Sequence, residues 1–493
     1  MIKYTYKGVE HTVNNTVTTL TTAQKYLEDN IIIEADGSGV IPTGEIRITE
    51  NGTYNVVDKA TAIVNVSTSG DSQYPIIEGE GEHEVRFVDY DGTLIKIQYV
   101  NNGESATAPS LPTHDRLTFV EWNRDYTNIT HDLDVGALYK PTSGNTELFI
   151  NVTEETGETI TLNIYRTVSS GTITVNWGDG TTSNFATGTG AKALTHTYSS
   201  YGEYMISIIT TVNYRLGGNT NSTELIRGSN EVNNFGALIK CYCSDKVIEL
   251  GSYCCFNTYN LEEFTMISVT KTSMYCFINT KQKAVIIPDT VTSLGNRVAT
   301  HSKHLEYLIL NDVLPSYSTP LMTNTKVKKI INSAKYNTTS IGYLVYYDGC
   351  EYLWYPKPVN NYVFGTGFGQ NCTNLRYIPI YDNCTGVTST GFMSGSSIEK
   401  IAFPPSVTTI ANQTCYNCGN LKDVYIYTDT VPTLGGTNAF GGTNALLKIH
   451  VKPELLSEFQ NATNWSYSSI KNKLVGDLEG EFKDGYCQKI SRN

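Results

Sequence analysis

The chain of 493 residues is long enough for about three domains of roughly 150 residues each, and only 17% of its residues are charged. Gly (41) and Tyr (34) are abundant, a composition typical of turns and strands that excludes an all-helical protein or a coiled coil. A net charge of −12 without a basic patch argues against nucleic acid as a partner, and no apolar run is long enough to predict a membrane span.

Residues 1–73 form the first predicted module. Ile46 and Ile48 alternate with polar residues, Asn51-Gly52 predicts a hairpin turn, and Tyr54 and Val56 alternate after it. The segments TLTTAQKYLEDNIIIEA and ITENGTYNVVDKATAIVNVS resemble short β modules at the N-termini of tail and head-associated proteins of phages that infect Gram-positive bacteria. The resemblance implies docking to a virus particle.

Residues 83–140 form the second module. Val85 and Phe87 lead into an Asp91-Gly92 turn, and Ile95 and Ile97 alternate after it. The segment from VRFVDYDGTLIKIQYV to DVGALY resembles the internalin-type B repeat, a small β-grasp-like unit of bacterial surface proteins. That resemblance implies a spacer or adhesion module without catalysis.

Residues 146–224 form the third module. Ile173, Val175 and Trp177 share one face of a strand that ends in Gly178-Asp179-Gly180. WGDG, followed by HTY, resembles the polycystic-kidney-disease (PKD) type of immunoglobulin-like sandwich, which implies a second spacer. We expect Asp179 to be a turn aspartate that bonds backbone amides, and His196 to be a packed or hydrogen-bonding residue.

Residues 225–475 repeat one phrase, as in YNLEEFTMI, KHLEYLIL, SSIEKIAF and GNLKDVYIY, with 23 residues from Ile398 to Leu421. The phrase resembles BspA-like leucine-rich repeats. We expect Cys372 and Cys418, each three residues before the Leu of its phrase, to point into the solenoid. The closing segment resembles the cap of such arrays, in which Leu455, Phe459 and Trp465 would cover the last repeat.

Residues 313–360 fit the phrase poorly, which predicts an insertion or a degenerate repeat, and residues 476–493 are a tail. The predicted fold class is therefore mainly β: a multi-module chain of small β domains followed by an irregular leucine-rich-repeat solenoid.

The 11 cysteines all lie between Cys241 and Cys487, and the net charge of the chain also differs before and after residue 240. Residues 1–240 carry 15 Lys+Arg against 29 Asp+Glu, and the remainder carries 21 against 19. Cys415 and Cys418 form a C-x-x-C without a second ligand pair, so buried thiols are favoured over a zinc site, and no cofactor is expected. Whether any cysteines form disulfides stays open.

The chain carries none of the nucleophile, zinc-protease or nucleotide-binding motifs. His301 and His304 are three residues apart but lack a third ligand nearby in sequence, so we expect surface side chains. A pair of carboxylates for glycoside hydrolysis need not be close in sequence and stays open. We predict that the protein is not an enzyme.

A cluster of aromatic residues lies in the part of the repeat region that fits the phrase badly. Aromatic faces beside the amides of Asn360-Asn361 suit sugar rings or protein contacts, so these residues are the candidate recognition surface, with packing in sheet and core as the alternative. The residues are Tyr347, Tyr352, Trp354, Tyr355 and Tyr362.

The modules together predict a non-enzymatic structural and adhesive virion protein, a tail or capsid decoration. The N-terminal module would bind other virion proteins, and the repeats would bind a bacterial surface glycan or protein. Met1–Tyr6 does not resemble the start of a secretory signal, so we expect export as part of a particle and location on the virion surface. The alternative is a BspA-like adhesin on the bacterial cell surface, and a third hypothesis is a polysaccharide-degrading enzyme. Homo-oligomerisation stays open.

Overall fold

The computed structural model describes residue 81 and residues 83–185, 187–217, 224–229, 236–311, 325–331, 350–365, 372–375 and 378–482. It also describes the backbone of short strands at residues 2–6, 9–13, 44–48, 52–56, 62–63, 76–78, 322–323 and 340–341. Within these residues the protein is almost entirely β, as predicted, and no helix has the length and apolar character that a membrane crossing needs.

The chain divides into two compact units, of which the first comprises residues 1–117 and 121–137. Five antiparallel strands form its first sheet in the order β2-β1-β3-β4-β5, and the predicted hairpin at Asn51-Gly52 is the pairing of β3 with β4. A second, mixed sheet has the order β6-β8-β7-β10-β9, in which the predicted Asp91-Gly92 turn joins β7 to β8. The strands are β1 (Ile2–Tyr6), β2 (Val9–Val13), β3 (Gly44–Ile48), β4 (Gly52–Val56), β5 (Ala62–Ile63), β6 (Ile76–Glu78), β7 (His83–Val88), β8 (Leu94–Val100), β9 (Leu117–Trp122) and β10 (Leu133–Pro141).

The second unit, residues 118–120 and 138–493, begins with a β-sandwich. The alternating pattern of Ile173, Val175 and Trp177 faces the sandwich core, where all three side chains are buried. The indole of Trp177 donates to Ser183 Oγ (3.0 Å), and the hydroxyl of Tyr198 donates to the carbonyl of Trp177 (2.9 Å). The strands are β11 (Thr146–Val152), β12 (Thr159–Arg166), β13 (Ile173–Asn176), β14 (Thr182–Asn184), β15 (Gly190–Thr197), β16 (Gly202–Thr210), β17 (Tyr214–Leu216) and β18 (Ile226–Gly228).

Both sheets of the sandwich continue into the repeat region. β19 (Leu238–Tyr242) pairs antiparallel with β11, which gives one sheet of order β14-β13-β16-β11-β19-β21. β20 (Val247–Leu250) pairs parallel with β17, which gives a second sheet whose main path is β15-β12-β17-β20-β22-β24. The sandwich and the first repeats therefore share two sheets and one hydrophobic core.

A buried hydroxyl network lies where the sandwich meets the repeats. Tyr214 donates to Thr146 Oγ1 (2.7 Å), and Ser244, from the first turn of the repeats, donates its backbone amide to the same oxygen (3.1 Å). All three side chains are buried. Hydrogen bonds therefore join the residues on the two sides of the predicted module boundary at residue 224. The boundary itself stays a prediction.

The repeat region is a β-solenoid of about nine turns whose strands pair in parallel. Over the described turns from Leu261 to Leu421 the residue at the Leu position is buried, as is the second residue of each strand that follows it, which explains the recurring apolar phrase. The remaining strands are β21 (Glu263–Thr265), β22 (Lys271–Thr272), β23 (Ala284–Ile286), β24 (Ser293–Leu294), β25 (Ala299–Thr300), β26 (Tyr307–Ile309), β27 (Met322–Thr323), β28 (Lys329–Ile331), β29 (Ser340–Ile341), β30 (Tyr352–Trp354), β31 (Tyr362–Phe364), β32 (Cys384–Val387), β33 (Lys400–Phe403), β34 (Thr409–Ile410), β35 (Asp423–Ile426), β36 (Thr433–Leu434), β37 (Lys448–Val451) and β38 (Leu474–Val475).

Three described turns have neither leucine nor isoleucine at the Leu position, which hid them from the phrase. Gln282, Val327 and Cys350 occupy it, each two residues before the strand, and all three are buried. The pairing of β28 with β30 shows that the described part of residues 313–360 contains degenerate repeats, one of the two predicted possibilities.

The C-terminal end of the solenoid is closed by a 3₁₀ turn, Pro453–Leu455, and two short helices, Leu456–Asn461 and Ser468–Lys471. Phe459 and Trp465 pack edge to face (4.9 Å between ring centroids), and the indole of Trp465 donates to the carbonyl of Pro432 (2.8 Å). Leu455, Phe459 and Trp465 are buried. These residues form the cap that the sequence predicts.

Candidate recognition surface

The predicted recognition cluster is only partly at the surface. Tyr355 and Tyr362 each have 0% of their surface exposed, so the prediction that they form a surface site is wrong. Both occupy inward positions of the solenoid, where the Tyr355 hydroxyl donates to the carbonyl of Pro379 (2.6 Å) and the Tyr362 hydroxyl accepts from the amide of Tyr381 (3.1 Å). Burial raises the pKa of both phenols well above the usual value.

The other predicted residues have different fates. Tyr352 and Trp354 are half-buried and flank the inward-facing Leu353 in β30, so they lie on the outer side of that strand. The ammonium of Lys329 lies 5.6 Å from the ring centroid of Tyr352. Tyr347 lies outside the described residues. The structure therefore brings two of the five residues together on one outer strand.

Asp179 and His196 form a hydrogen-bonded pair in the sandwich. Asp179 Oδ1 accepts the amide of Thr181 (3.0 Å), and its Oδ2 lies 2.7 Å from His196 Nε2. The imidazole stacks on Trp177 at 4.8 Å between centroids. Burial alone would raise the pKa of Asp179, but hydrogen bonds from Thr181 and His196 outweigh it and lower the pKa to about 2. Both residues therefore have the structural roles that the sequence predicts.

The ten described cysteines are buried and unlinked. Cys372 and Cys418 point inward as predicted, and the Cys418 thiol donates to the carbonyl of Met393 (3.0 Å). Burial raises the pKa of the Cys276 and Cys350 thiols, which makes them poor nucleophiles. Over the described ranges, no three His, Cys, Asp or Glu side chains are arranged to hold a metal ion, and Cys487 lies outside those ranges. His301 is exposed, as is His304.

A different surface lies on the loop side of the solenoid, between the second strand of one turn and the first strand of the next. Two residues per turn, four apart, have a left-handed backbone, and amides at every second residue donate to the next turn, for example Cys255 N to the Cys276 carbonyl (2.8 Å). The loops therefore stack in register as the strands do. The left-handed pairs are Tyr253/Asn257, Tyr275/Asn279 and Arg297/His301 near the sandwich, and Gly391/Gly395 and Gln413/Asn417 near the cap.

The first three of these loops carry aligned exposed or half-exposed side chains, which we call the loop-face ladder: Tyr253, Phe256, Asn257, Met274, Tyr275, Asn279, Arg297 and His301. Tyr253 and Tyr275 stack at 5.0 Å between ring centroids with an angle of 24°, and Phe256 stands at 71° to Tyr253. The Asn279 amide donates to Asn257 Oδ1 (3.3 Å). Aromatic rings and amides thus form two neighbouring columns.

The ladder ends in positive charge. The Arg297 guanidinium lies 5.9 Å from the ring centroid of Tyr275, and His301 is one turn beyond Asn279. Lys303 and His304 follow, and residues 290–305 contain no Asp or Glu. This face can pack against apolar rings, hydrogen-bond hydroxyl groups and attract an anion.

Sequence reasoning missed this surface although a signal was present. Tyr253 and Tyr275 are 22 residues apart, as are Asn257 and Asn279, and Arg297 and His301 follow at the same spacing. That period shows the register of the loops directly. The sequence favours the cluster around Trp354 because the aromatic residues there are close together along the chain.

Comparison with known proteins identifies the repeat region. The profile of the BspA type leucine rich repeat region matches residues 227–354 and 356–471, in six copies. No match was found among curated proteins.

Three solved structures are similar to this chain at low scores. A leucine-rich repeat protein from Bacteroides ovatus is 16% identical, covers 48% of this chain and 82% of its own, and has a TM-score of 0.20. The pneumococcal vaccine antigen PcpA is 9% identical over 47% and 75%, with a TM-score of 0.26. A leucine rich cell surface protein from Faecalibacterium prausnitzii is 14% identical over 42% and 76%, with a TM-score of 0.20. The family profile and the solenoid together show that the C-terminal half of this chain consists of BspA-type leucine-rich repeats.

Proposed function

We propose that this protein is a non-enzymatic attachment protein that presents its leucine-rich-repeat solenoid to a bacterial surface glycan or protein. The observation that carries the proposal is the loop-face ladder. Gly and Gln occupy the first left-handed position of the later loops, whereas Tyr253, Tyr275 and Arg297 occupy it near the sandwich; the second position is Gly, Asn or His throughout. Bulky residues are disfavoured in that conformation, so their presence in an aligned, exposed set favours a binding role over a structural one.

The modules that precede the solenoid would anchor the protein to the particle or cell that carries it. In the virion form of the proposal, residues 1–73 dock to other proteins of a phage tail or capsid. The support for this form is the sequence resemblance of that module to phage proteins, together with spacer-like second and third modules.

The alternative is an adhesin on the bacterial cell surface. The BspA-type repeats support this form. Both forms share the same binding half and differ only in what the N-terminal module is attached to.

The test uses the full chain, labelled with a fluorophore, incubated with a panel of bacterial cells and with their isolated envelopes. Saturable retention that unlabelled protein competes away supports attachment, and uniform failure to bind refutes it. Gold-labelled antibody against residues 241–493 shows what the protein is anchored to. Label on phage particles supports the virion form, and label on cells without phage supports the adhesin. Release of reducing ends from the bound glycans would contradict a non-enzymatic role.

A further inference from the structure

We propose that the loop-face ladder binds an acidic polysaccharide built from hexuronate residues. This inference rests on the proposed function and adds the chemical class of the ligand. Its site lies on the first three turns of the solenoid, away from the aromatic cluster at Tyr352 and Trp354 that the sequence pointed to.

The orientation of the rings defines how a sugar would pack. Tyr253 and Tyr275 belong to successive turns and stack on each other, so their ring planes lie across the solenoid axis. Phe256 stands at 71° to Tyr253, so its plane runs along the axis. A pyranose ring lying along the solenoid can therefore pack against Phe256 and the exposed Met274 while the tyrosine hydroxyls reach its edge.

The second column supplies hydrogen bonds to the same sugar. Asn257 and Asn279 bond to each other through one donor and one acceptor, which leaves amide groups on both for hydroxyl groups of a ligand. Turns of a parallel solenoid are about 4.8 Å apart, so three turns cover about 10 Å, roughly a disaccharide. The ladder is therefore long enough for two linked sugar rings.

The charge at the end of the ladder selects an acidic sugar. Arg297 and His301 occupy the third loop in place of Tyr and Asn, and residues 290–305, between Asp289 and Glu306, contain no Asp or Glu. A guanidinium can hold a carboxylate through two parallel hydrogen bonds. A hexuronate chain supplies a ring face and a carboxylate on neighbouring units, whereas a polyol phosphate chain has no ring in its backbone for Phe256 to contact.

The solenoid itself provides substitutions that keep the backbone. Gln413 has a φ of 59° at the position equivalent to Tyr275 and Arg297, and Asn417 has a φ of 58° at the position equivalent to His301. Tyr275→Gln, Arg297→Gln and His301→Asn therefore place in these loops residues that the same fold accepts elsewhere. Tyr467→Ala and Lys448→Gln, at exposed positions in or next to the C-terminal cap, are matched controls for the loss of a tyrosine and of a cation.

The experiment measures binding of the full chain to immobilised polygalacturonate, alginate and hyaluronate, to methyl-esterified polygalacturonate, and to poly(glycerol phosphate). We expect binding to at least one of the three acidic polysaccharides. If polygalacturonate is bound, methyl esterification should weaken binding about tenfold, as loss of one charge-assisted hydrogen bond would. Tyr275→Gln should weaken binding of every sugar polymer about tenfold, whereas Arg297→Gln and His301→Asn should weaken binding of the charged polymers only. The two control variants should bind as the wild type does.

No binding to any of the three acidic polysaccharides overturns the proposal. So does equal affinity for polygalacturonate and its methyl ester, binding to poly(glycerol phosphate) alone, or unchanged affinity in Tyr275→Gln and Arg297→Gln. Thermal denaturation of each variant confirms that it is folded. If the wild-type chain attaches to bacteria and these variants attach equally well, the loop-face ladder is not the binding site, and the proposed function still stands.

Discussion

The sandwich and the solenoid are built by different rules and yet share both of their sheets. The sandwich pairs its strands antiparallel around Trp177, and distant segments of sequence meet in it, whereas each solenoid turn pairs with the next in parallel. In one sheet the change happens at β19, which is antiparallel to β11 and parallel to β21, and in the other at β17, which is antiparallel to β12 and parallel to β20. A module that looks like a spacer in sequence is thus joined to the repeats through backbone hydrogen bonds.

This junction solves a problem that every open solenoid has. An unpaired end would present strand edges and an apolar core to water, which favours aggregation. At the C-terminal end the element around Trp465 covers the core. At the other end β11 and β17 of the sandwich occupy the edges of β19 and β20. The sandwich is therefore the N-terminal cap of the solenoid.

The largest expected effect comes from removing that cap. A chain without residues 142–235 leaves β19 and β20 with unpaired edges, and we expect it to aggregate or to lose its β-sheet signal in circular dichroism. A chain without residues 1–82 removes no strand of either shared sheet and is the control. A soluble, cooperatively melting protein after the first deletion would show that the two regions are separable.

A core substitution in the sandwich should have the next largest effect. Trp177 is fully buried and holds Tyr198 and Ser183, so Trp177→Ala should cost about 3–5 kcal/mol of unfolding free energy. Urea denaturation of the wild type and the variant gives the difference. Because the sheets are continuous, the transition followed in the first solenoid turns should move with the transition of the sandwich.

Gln282 is a polar residue at the Leu position of the solenoid, and replacing it with leucine should stabilise the protein. Gln282 occupies the Leu position, and neither Nε2 nor Oε1 has a hydrogen-bond partner although both are buried. Gln282→Leu should raise the unfolding free energy by about 1–2 kcal/mol because it removes the cost of burying two unbonded polar atoms. The reverse exchange, Leu261→Gln, should lower it, and a destabilised Gln282→Leu would indicate that the amide is satisfied in solution.

The smallest expected effect is the pH dependence of the stability that the hydrogen-bonded pair of Asp179 and His196 contributes. The pKa of Asp179 is lowered from 3.8 to about 2, so its stabilisation is present above about pH 4 and is lost as the pH falls towards 2. Asp179→Asn should remove about 1 kcal/mol of that acid dependence, because solvent screens a partly exposed carboxylate. Thermal melting between pH 2 and 5 measures it, with the exposed Glu203→Gln as control. An unchanged acid profile would contradict the lowered pKa.

The sequence predicts what depends on local pattern. Alternation placed Trp177 in a core, and the repeat phrase placed Cys372 and Cys418 inside the solenoid. The pairing of β11 with β19 had no such signal, because it joins segments about ninety residues apart whose register is fixed only in the folded chain.

The candidate site was harder to predict for a related reason. Whether Tyr355 is inside or outside depends on where its turn begins, and Cys350 in the Leu position concealed that turn. The loop-face ladder forms only when turns stack, so its residues are neighbours in space but 22 residues apart in sequence.

Hydrogen exchange measured by mass spectrometry on the wild type and Trp177→Ala tests most directly whether the sandwich is the cap of the solenoid. If it is, amides of β19 (Leu238–Tyr242) and β20 (Val247–Leu250) should lose protection together with those of β11 and β17. Faster exchange confined to residues 146–228, with β19 and β20 as protected as in the wild type, would contradict the account.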